Sequence, residues 1–289
     1  MTRKFDHLVL CAADLDRASR FYATIGFTLT PRAVHPFGTC NSLIQLHGNF
    51  LELLSIADPR LIPKAAPGKF SFAAYNDAFL KRREGFSMLV FATSDAAADA
   101  AEFKKSGLNA YDIFHFGRQA TLPDGSKARV DFSLAFVTHP AMPEAAFFTC
   151  QQQAPQYFWR SEYQRHANGA RRLVEVVMST ARPADCKDFF ECLMQAPAKL
   201  SPSGFSIGDA REGLTVLDHA GLAARFPEIP RRGAGGTPRF EAYAIEVADL
   251  SATQALLASA GVAFRSTPRS LVLRPSAAFG VVIEFRAPA

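Results

Sequence analysis

Residues 5–27, FDHLVLCAADLDRASRFYATIGF, predict a strand followed by a capped amphipathic helix. The run FDHLVLC is rich in apolar residues, as expected of a buried strand. Helical spacing of three and four residues connects Leu15, Ala18, Phe21, Tyr22 and Ile25. These positions form one apolar stripe, with Asp14 placed to cap the helix start and Gly26 its end. The first unit of the chain is therefore a strand and a helix, followed by further strands up to FLELLSI.

The same unit recurs three more times along the chain. A β-rich run followed by an amphipathic helix begins at Phe86, at Arg172 and at Phe240. Alignment of the four units without gaps brings one position of each together: His7, Met88, Glu175 and Ala242. Repetition of this order and spacing indicates internal duplication of one structural unit.

The ends of the repeated helices support the alignment. His7, Met88 and Ala242 precede a helix-ending glycine by the same number of residues in their units, the glycines being Gly26, Gly107 and Gly261. The third unit has Gln-Ala-Pro at this point, and Pro197 is expected to stop its helix by another route.

These four units resemble the vicinal oxygen chelate superfamily, which includes glyoxalase I, extradiol dioxygenases and bleomycin-resistance proteins. The first unit, together with HPFGTCNSLIQLHGNFLELLSI at residues 35–56, is similar to the glyoxalase-like branch. The resemblance implies an α+β fold of four βαβββ modules, paired into two domains. It also implies that each pair curls around a cavity, with metal ligands on the first and last strands of each module.

A chain of 289 residues suits two such domains. We expect an N-terminal glyoxalase-like domain at residues 1–153, a connecting segment at 154–170 and a C-terminal domain at 171–289. The connecting segment carries the only tryptophan, Trp159, beside Tyr157 and Phe158. Such an aromatic segment is expected to pack on the domains. The modules pair either within one chain, which we assume, or by exchange between two chains of a homodimer.

Composition narrows the class of protein. The formal net charge is +5, but the Lys and Arg residues are scattered and lack the aromatic interleaving of a nucleic-acid-binding face. The five cysteines form no C-x-x-C pair, and no signal peptide is evident, so a cytoplasmic protein with reduced thiols is expected. No apolar run approaches the ~18 residues that a membrane span requires. A small molecule is the expected partner, rather than nucleic acid or a membrane.

A hairpin at residues 42–56, SLIQLHGNFLELLSI, carries a carboxylate, Glu52, in an otherwise apolar strand. If Gly48-Asn49 is a two-residue turn, Gln45 lies opposite Glu52. Because side chains alternate along a strand, Asn41, Gln45 and Glu52 share one face, which is predicted to line a polar pocket. The opposite face is aliphatic and is expected to lie beneath the helix.

The strand of His7 lies beside that of Glu52 if the resemblance holds, so both side chains are predicted to enter one cavity as catalytic residues. Burial of an unpaired carboxylate costs several kcal/mol. One solution is a divalent zinc, manganese, nickel or iron ion held by His7 and Glu52. Another is a hydrogen bond between these two side chains. The metal site would be incomplete, because the second module offers only Met88 and Phe148 or Thr149.

Other side chains are candidates for the same pocket. Asn41, Gln45, Arg118 and Gln152 are predicted to bind substrate, Arg118 through a carboxylate or phosphate. Surface ion pairing and interdomain packing are the structural alternatives for Arg118 and Gln152. His35, His139 and His219 are expected to be exposed.

The second half has its own candidates, Glu175 and Glu284, at the positions of His7 and Glu52. Their partners would be Ala242 and either Thr215 or Val216. Two carboxylates could bind a hard cation weakly. Ion pairing with Arg172 or Arg286 is the alternative.

Three functions remain open from the sequence. The chain could be a metal-dependent lyase, isomerase or dioxygenase, a metal-free binding or sequestering protein of the bleomycin-resistance type, or a metal-free acid–base enzyme using His7 and Glu52. In each case we expect it to act on or bind a small polar molecule in its first half.

Overall fold

The computed structural model describes residues 2–64, 66–121, 127–230 and 236–288, which form two mixed sheets of nine and eight strands. The α+β fold of paired βαβββ modules is confirmed. No helix within these ranges is both long enough and apolar enough to cross a membrane.

The first sheet belongs to the first half of the chain. Its strands are β1 (Phe5–Cys11), β2 (Ala33–Val34), β3 (Thr39–Gln45), β4 (Phe50–Ile56), β5 (Gly85–Ala92), β6 (Asn109–Ala110), β7 (Phe114–Thr121), β8 (Lys127–Thr138) and β9 (Ala146–Gln152). They lie in the order β2-β3-β4-β1-β5-β9-β8-β6, and β7 pairs with β8. The two modules therefore meet where β1 and β5 run antiparallel.

The second sheet repeats this order. Its strands are β10 (Ala170–Ser179), β11 (Lys199–Ser201), β12 (Gly204–Gly208), β13 (Gly213–Leu217), β14 (Arg239–Val247), β15 (Arg265–Ser266), β16 (Ser270–Leu273) and β17 (Val282–Arg286). Their order, β11-β12-β13-β10-β14-β17-β16-β15, places β10 and β14 together at the centre.

Helices connect these strands. Their bounds are α1 (Leu15–Thr24), α2 (Phe72–Leu80), α3 (Ala96–Lys105), α4 (Pro155–Phe158), α5 (Ala184–Met194), α6 (His219–Arg225) and α7 (Leu250–Ser259), with 3₁₀ turns at Pro59–Leu61 and Ser161–Gln164. The module helices are α1, α3, α5 and α7, each of which follows the first strand of its module.

The helix ends follow the sequence signals in most modules. The carboxylate of Asp14 accepts a hydrogen bond from the backbone N–H of Arg17 and caps α1. Asp95 and Asp249 cap α3 and α7 in the same way. Helix α5 ends differently from the prediction, because Gln195 adopts a left-handed conformation (φ 54°) two residues before Pro197.

Strand register confirms the alignment of the four modules. Within the first module, His7 pairs with Phe50 and Val9 with Glu52. The corresponding pairs are Met88 with Ala146 and Val90 with Phe148 in the second module, Glu175 with Gly213 and Val177 with Thr215 in the third, and Ala242 with Val282 and Ala244 with Glu284 in the fourth. Phe148, Thr215 and Glu284 thus occupy the position of Glu52.

The hairpin differs from the prediction in register but not in its faces. Gln45 pairs with Phe50 and Leu43 with Glu52, and the backbone N–H of Leu46 donates to the carbonyl of Asn49, so the two-residue turn is His47-Gly48, one residue earlier than predicted. The predicted pairing of Gln45 with Glu52 is wrong by two residues, a shift that leaves each side chain on its predicted face. The turn docks on β10, where the backbone N–H of His47 donates to the carbonyl of Arg171 and the Asn49 amide bonds the backbone of Leu173.

Strand β1 contains a bulge at Asp6. Phe5 pairs with Phe91 and His7 with Val90, which leaves Asp6 as the extra residue. Simple alternation predicts that Phe5 shares a face with His7 and that Asp6 lies on the other. The bulge reverses this arrangement, because Phe5 joins the core with Leu8 while Asp6 contacts the His7 side chain.

One hydrophobic core joins the two halves. It takes buried residues from both sheets and from all four module helices. The Phe27 and Phe285 rings lie 5.9 Å apart across the halves, and the hydroxyls of Tyr22 and Tyr243 are hydrogen-bonded at 2.9 Å. The concave face of each sheet carries a separate, smaller cluster. The two halves therefore have separate sheets of the same topology, but they share one hydrophobic core.

Candidate functional site

A cavity of about 50 Å³ lies on the concave face of the first sheet. Eight phenylalanine side chains line it, among them Phe50, Phe148 and Phe158. The four side chains that bring polar atoms other than sulfur are His7, His35, Asn41 and Glu52. The predicted polar pocket is thus polar along one wall only and aromatic elsewhere.

The imidazole of His7 is held on one side by a carboxylate. Its Nδ1 lies 2.6 Å from Asp6 Oδ2, and the other Asp6 oxygen accepts a hydrogen bond of 3.0 Å from Gln152 Nε2. The ring stacks on Phe50 with a centroid distance of 4.2 Å. Because Asp6 accepts the proton of Nδ1, Nε2 remains as the reactive nitrogen of the neutral ring.

Glu52 lies across the cavity from that nitrogen. His7 Nε2 and Glu52 Oε2 are 3.7 Å apart, which is too long for a hydrogen bond. The other Glu52 oxygen accepts a hydrogen bond of 2.5 Å from Asn41 Nδ2. Asn41 Oδ1 is buried without a hydrogen-bond partner in the described part of the chain. The site thus brings together a base, an acid and an acceptor.

His35 belongs to this site, although the sequence predicted an exposed side chain. It is 4% exposed, its Nδ1 lies 2.7 Å from Thr39 Oγ1, and its ring stacks on Phe37. The turn before β3 folds His35 back over the sheet, because its backbone N–H bonds the carbonyl of Thr39. The aromatic neighbour Phe37 was the available signal. His139 and His219 are half-buried rather than exposed.

Gln45 and Gln152 do not line the cavity. The Gln45 amide donates to the carbonyl of Phe158 and accepts from the backbone N–H of Arg160. It therefore fastens the connecting segment to β3 and lines a neighbouring groove, and its contact with substrate stays a prediction. Gln152 supports Asp6 instead. Arg118 lies in β7, but its side chain falls outside the described residues.

Cys150 lines the cavity as a neutral thiol. Burial, with a smaller contribution from the nearby charges of Asp6 and Glu52, raises its pKa well above the ordinary value. A thiol of this kind is a poor nucleophile, since the thiolate is the reactive form. We assign no chemistry to Cys150.

The donor set does not fit a catalytic metal ion. His7 and Glu52 supply two ligands, whereas catalytic zinc sites use three from the protein. The matching positions of the second module hold Met88 and Phe148, both buried in the apolar cluster. No group of three or more His, Cys, Asp or Glu side chains is arranged around a common point in the residues that the structure describes. His35 Nε2 lies 3.4 Å from Asn41 Nδ2.

The concave face of the second sheet is charged instead of aromatic and forms a bowl of about 700 Å³. Arg225 of α6 binds Glu175 through two hydrogen bonds of 2.9 and 2.5 Å. Arg286 bonds both Glu175 and Glu284. The predicted pairing with Arg286 is present, whereas Arg172 pairs with Glu246 and Arg225 was missed.

These ion pairs occupy both candidate carboxylates of the second half. Burial alone would raise the pKa of Glu175, but the hydrogen bonds and charges of Arg225 and Arg286 outweigh it and lower the pKa to about 2. Thr215 donates a further hydrogen bond to Glu175. Because guanidinium groups already bind Glu175 and Glu284, the arrangement matches the predicted ion-pairing alternative and does not favour a cation.

Comparison with known proteins identifies the family of this chain. The sequence model of the glyoxalase-like domain family matches residues 5–194. The chain belongs to this family. The match covers the whole first sheet and continues to the end of α5. A search of curated protein sequences found no significant match to this glyoxalase-like protein.

Solved structures resemble the glyoxalase-like protein along its whole length. A hypothetical protein from Staphylococcus aureus has a TM-score of 0.69 at 13% identity, with 99% of each chain covered. A mutant of 4-hydroxymandelate synthase from Streptomyces coelicolor has a TM-score of 0.61 at 13% identity, over 99% of this chain and 92% of that one.

A third similar structure is the Mn(II)-bound glyoxalase from Novosphingobium aromaticivorans, with a TM-score of 0.60 at 11% identity. The match covers 99% of this chain and 83% of that one. These structural similarities show a common fold. Because the sequence identities are so low, the activity of this chain has to be argued from its own site.

Proposed function

We propose that the first half binds a small molecule by a mainly apolar, uncharged part that enters the cavity, and transfers a proton to or from that part, with His7 and Glu52 as the acid–base pair. The observation that carries this proposal is the separation of 3.7 Å between His7 Nε2 and Glu52 Oε2 inside an aromatic cavity. Because the two groups do not bond each other, the lone pair of Nε2 and the Glu52 oxygen can both contact a ligand atom that lies in front of them in the cavity.

The lining of the cavity argues for the ligand class. Phenyl rings on most sides favour an aromatic or aliphatic body. The carboxylates of Asp6 and Glu52 disfavour an anion at this point, because like charges repel strongly in a buried site. The unpartnered Oδ1 of Asn41 offers an acceptor for a hydroxyl or N–H group of the ligand. This proposed ligand class differs from the small polar molecule predicted from the sequence.

The chemistry follows from the fixed imidazole. With Nδ1 engaged by Asp6, Nε2 can accept the proton of a carbon next to a carbonyl group, which leaves an enolate beside the protonated ring. Glu52, as a carboxylate, can move a proton between the enolate oxygen and a neighbouring hydroxyl group, and the ring can return its proton to either carbon. Such a pair supports isomerisation through an enol. Each positioned acid or base contributes roughly 10² to 10⁴ in rate. No step is assigned to a metal ion, because the donor set does not fit one.

Ligand entry requires the aromatic wall to move. Ligand pockets commonly measure about 300–1,000 Å³. The 50 Å³ cavity holds only a few non-hydrogen atoms. Phe158 is the wall residue carried by the short helix α4. Gln45 holds its backbone carbonyl, so the movement considered is that of the Phe158 ring. Displacement of this ring widens the cavity without disturbing a sheet strand.

A binding protein without catalysis is the second candidate. Eight phenyl rings supply a large apolar contact whether or not a proton is transferred. Such a protein would bind the same ligands as the enzyme but leave their carbon–hydrogen bonds unchanged.

The test uses 2-hydroxyacetophenone, a neutral aryl ketone with a hydroxyl donor and an acidic C–H group. Exchange of its methylene protons in D₂O is followed by ¹H NMR with wild-type protein and with His7→Gln, Glu52→Gln and the control Glu162→Gln, which changes an exposed acid of the connecting segment. We expect exchange above the buffer rate, a loss of about 100-fold in the two site variants and no change in the control.

Three other outcomes are informative. Saturable binding without exchange would assign the chain to the binding class. Exchange that EDTA abolishes and Mn²⁺ restores would contradict the metal-free chemistry. The absence of both binding and exchange would overturn the proposal.

A further inference from the structure

A second groove of about 470 Å³ lies beside the cavity. Leu43 and Phe158 line both spaces and form the wall between them. The groove also receives Arg32, Arg160 and Tyr157, but no carboxylate side chain from the described residues lines it. It is therefore a cationic space that adjoins the aromatic cavity.

Arg160 is a half-buried guanidinium without an acidic partner in the described part of the chain. Its backbone is held, since the N–H donates to Oε1 of Gln45 and the carbonyl accepts from the backbone N–H of Tyr163, but no hydrogen bond of its guanidinium group is found within the described ranges. Arg32 is half-exposed, and its nearest carboxylate, that of Asp16, lies 3.8 Å away. This contrasts with the second sheet, where the arginines nearest Glu175 and Glu284 bind these carboxylates closely. An unpaired arginine beside a ligand cavity suits a carboxylate or phosphate.

We propose that the ligand is bipartite, with an apolar head in the cavity and an anionic carboxylate or phosphate in the groove at Arg160 and Arg32. This inference rests on the proposed function and adds the substrate class. The two spaces have opposite charge preference: Asp6 and Glu52 repel an anion at the inner end, whereas the two arginines attract it at the outer end. The charges thus fix which end of the ligand meets His7.

The wall of Leu43 and Phe158 lies where the ligand would pass from one space to the other. The same displacement of Phe158 that widens the cavity also joins it to the groove. Trp159 reports on this movement, because its ring lies 5.2 Å from Phe158 and 5.8 Å from Phe50. It is also the only tryptophan of the chain, so its fluorescence is an unambiguous signal.

The experiment titrates Trp159 fluorescence with three series of probes in which the phenyl group and the anion are separated by one to five methylenes. The series are ω-phenylalkanoates, their uncharged methyl esters and ω-phenylalkyl phosphates. We expect one spacer length to bind best, and its anion to bind at least tenfold more tightly than its ester. A preference for carboxylate or for phosphate identifies which group the ligand carries.

Variants locate the anion. Arg160→Gln and Arg32→Gln should each weaken binding of the anionic probe by about tenfold, while binding of the ester stays unchanged. The control is Arg165→Gln, an exposed arginine of the same segment that does not line the groove. Equal losses in Arg160→Gln and Arg165→Gln would indicate a non-specific charge effect and overturn the inference.

Failure of the inference is distinguishable from failure of the proposed function. If esters bind and proton exchange continues, but anions gain nothing, the groove has no part in recognition and only the inference is wrong. If none of the three probe series binds and no proton exchange occurs, the proposed function is wrong and the inference is overturned with it.

Discussion

Asp6 is the residue on which the arrangement of His7 depends. A bulge in β1 brings its carboxylate to the same side of the strand as the imidazole, where it fixes Nδ1. Gln152 holds the second oxygen of Asp6. The reactive nitrogen is thus set by one extra residue in a strand and by an amide from β9.

Asp6→Asn should reduce the turnover of proton exchange by about 100-fold, because an amide can turn its nitrogen towards Nδ1 and favour the tautomer that carries the proton on Nε2. The Michaelis constant should change little, since Asp6 does not line the cavity. The exchange assay with 2-hydroxyacetophenone measures both constants. A rise in the Michaelis constant with unchanged turnover would contradict a positioning role for Asp6.

Prediction from sequence succeeded for residues whose position follows from strand alternation. His7, Asn41 and Glu52 were predicted on the cavity side and line the cavity. Asp6 and His35 were missed, because a bulge and a folded-back turn break the period on which alternation depends. Sequence periodicity therefore predicts positions only within regular strands. The chemical roles of all five residues remain proposals.

At the scale of elements, the connecting segment between β9 and β10 is tied to the first sheet by polar contacts. His166 Nδ1 accepts a hydrogen bond of 3.0 Å from the backbone N–H of Thr28, so its Nε2 donates to the carbonyl of Gln45 at 2.8 Å. Only the neutral ring can make both contacts at once, because a protonated Nδ1 could not accept from Thr28. No sequence period predicts such tertiary contacts, which is why the bond between Gln45 and this segment was missed.

His166 should make stability depend on pH. Burial lowers its pKa in the folded protein, so between that pKa and the unfolded value of about 6.5 the unfolded chain binds more protons. Its contribution is therefore complete above about pH 6.5 and is lost as pH falls through the folded pKa. Urea unfolding of the wild type and of His166→Gln at pH 7.5, 6.5 and 5.5 measures this effect.

We expect the difference in free energy of unfolding between the two proteins to be about 1–2 kcal/mol at pH 7.5 and to shrink towards pH 5.5. Comparison of the two proteins cancels the titration of all other groups. A difference that stays constant over this range would show that His166 is not held neutral by its contacts.

At the scale of the whole molecule, the two halves are joined through a shared interior. Tyr22 of α1 and Tyr243 of β14 are fully buried and hydrogen-bond each other across the halves. The sequence predicted the repeats, their pairing and the fold correctly. It could not predict this contact, because repeat spacing describes each half and carries no information on how their helix faces meet.

The tyrosine pair offers a test of that coupling. Tyr22→Phe or Tyr243→Phe alone should lower the free energy of unfolding by about 1–3 kcal/mol, because one buried hydroxyl loses its partner. The double variant should lose less than the sum of the two single changes. Urea unfolding of the four proteins gives the coupling energy. Strictly additive losses would mean that the hydroxyls do not interact in solution.

The common interior also bears on the history of the duplicated chain. Its second copy has no histidine at the position of His7, and the carboxylates there are bound by arginines, so a loss of that copy would remove no acid–base pair. Yet its strands and helices cover the back of the first copy, and without them rings such as Phe147, which packs on Phe190, would face water. A copy without such a pair can therefore persist because it keeps the apolar back of the first copy buried.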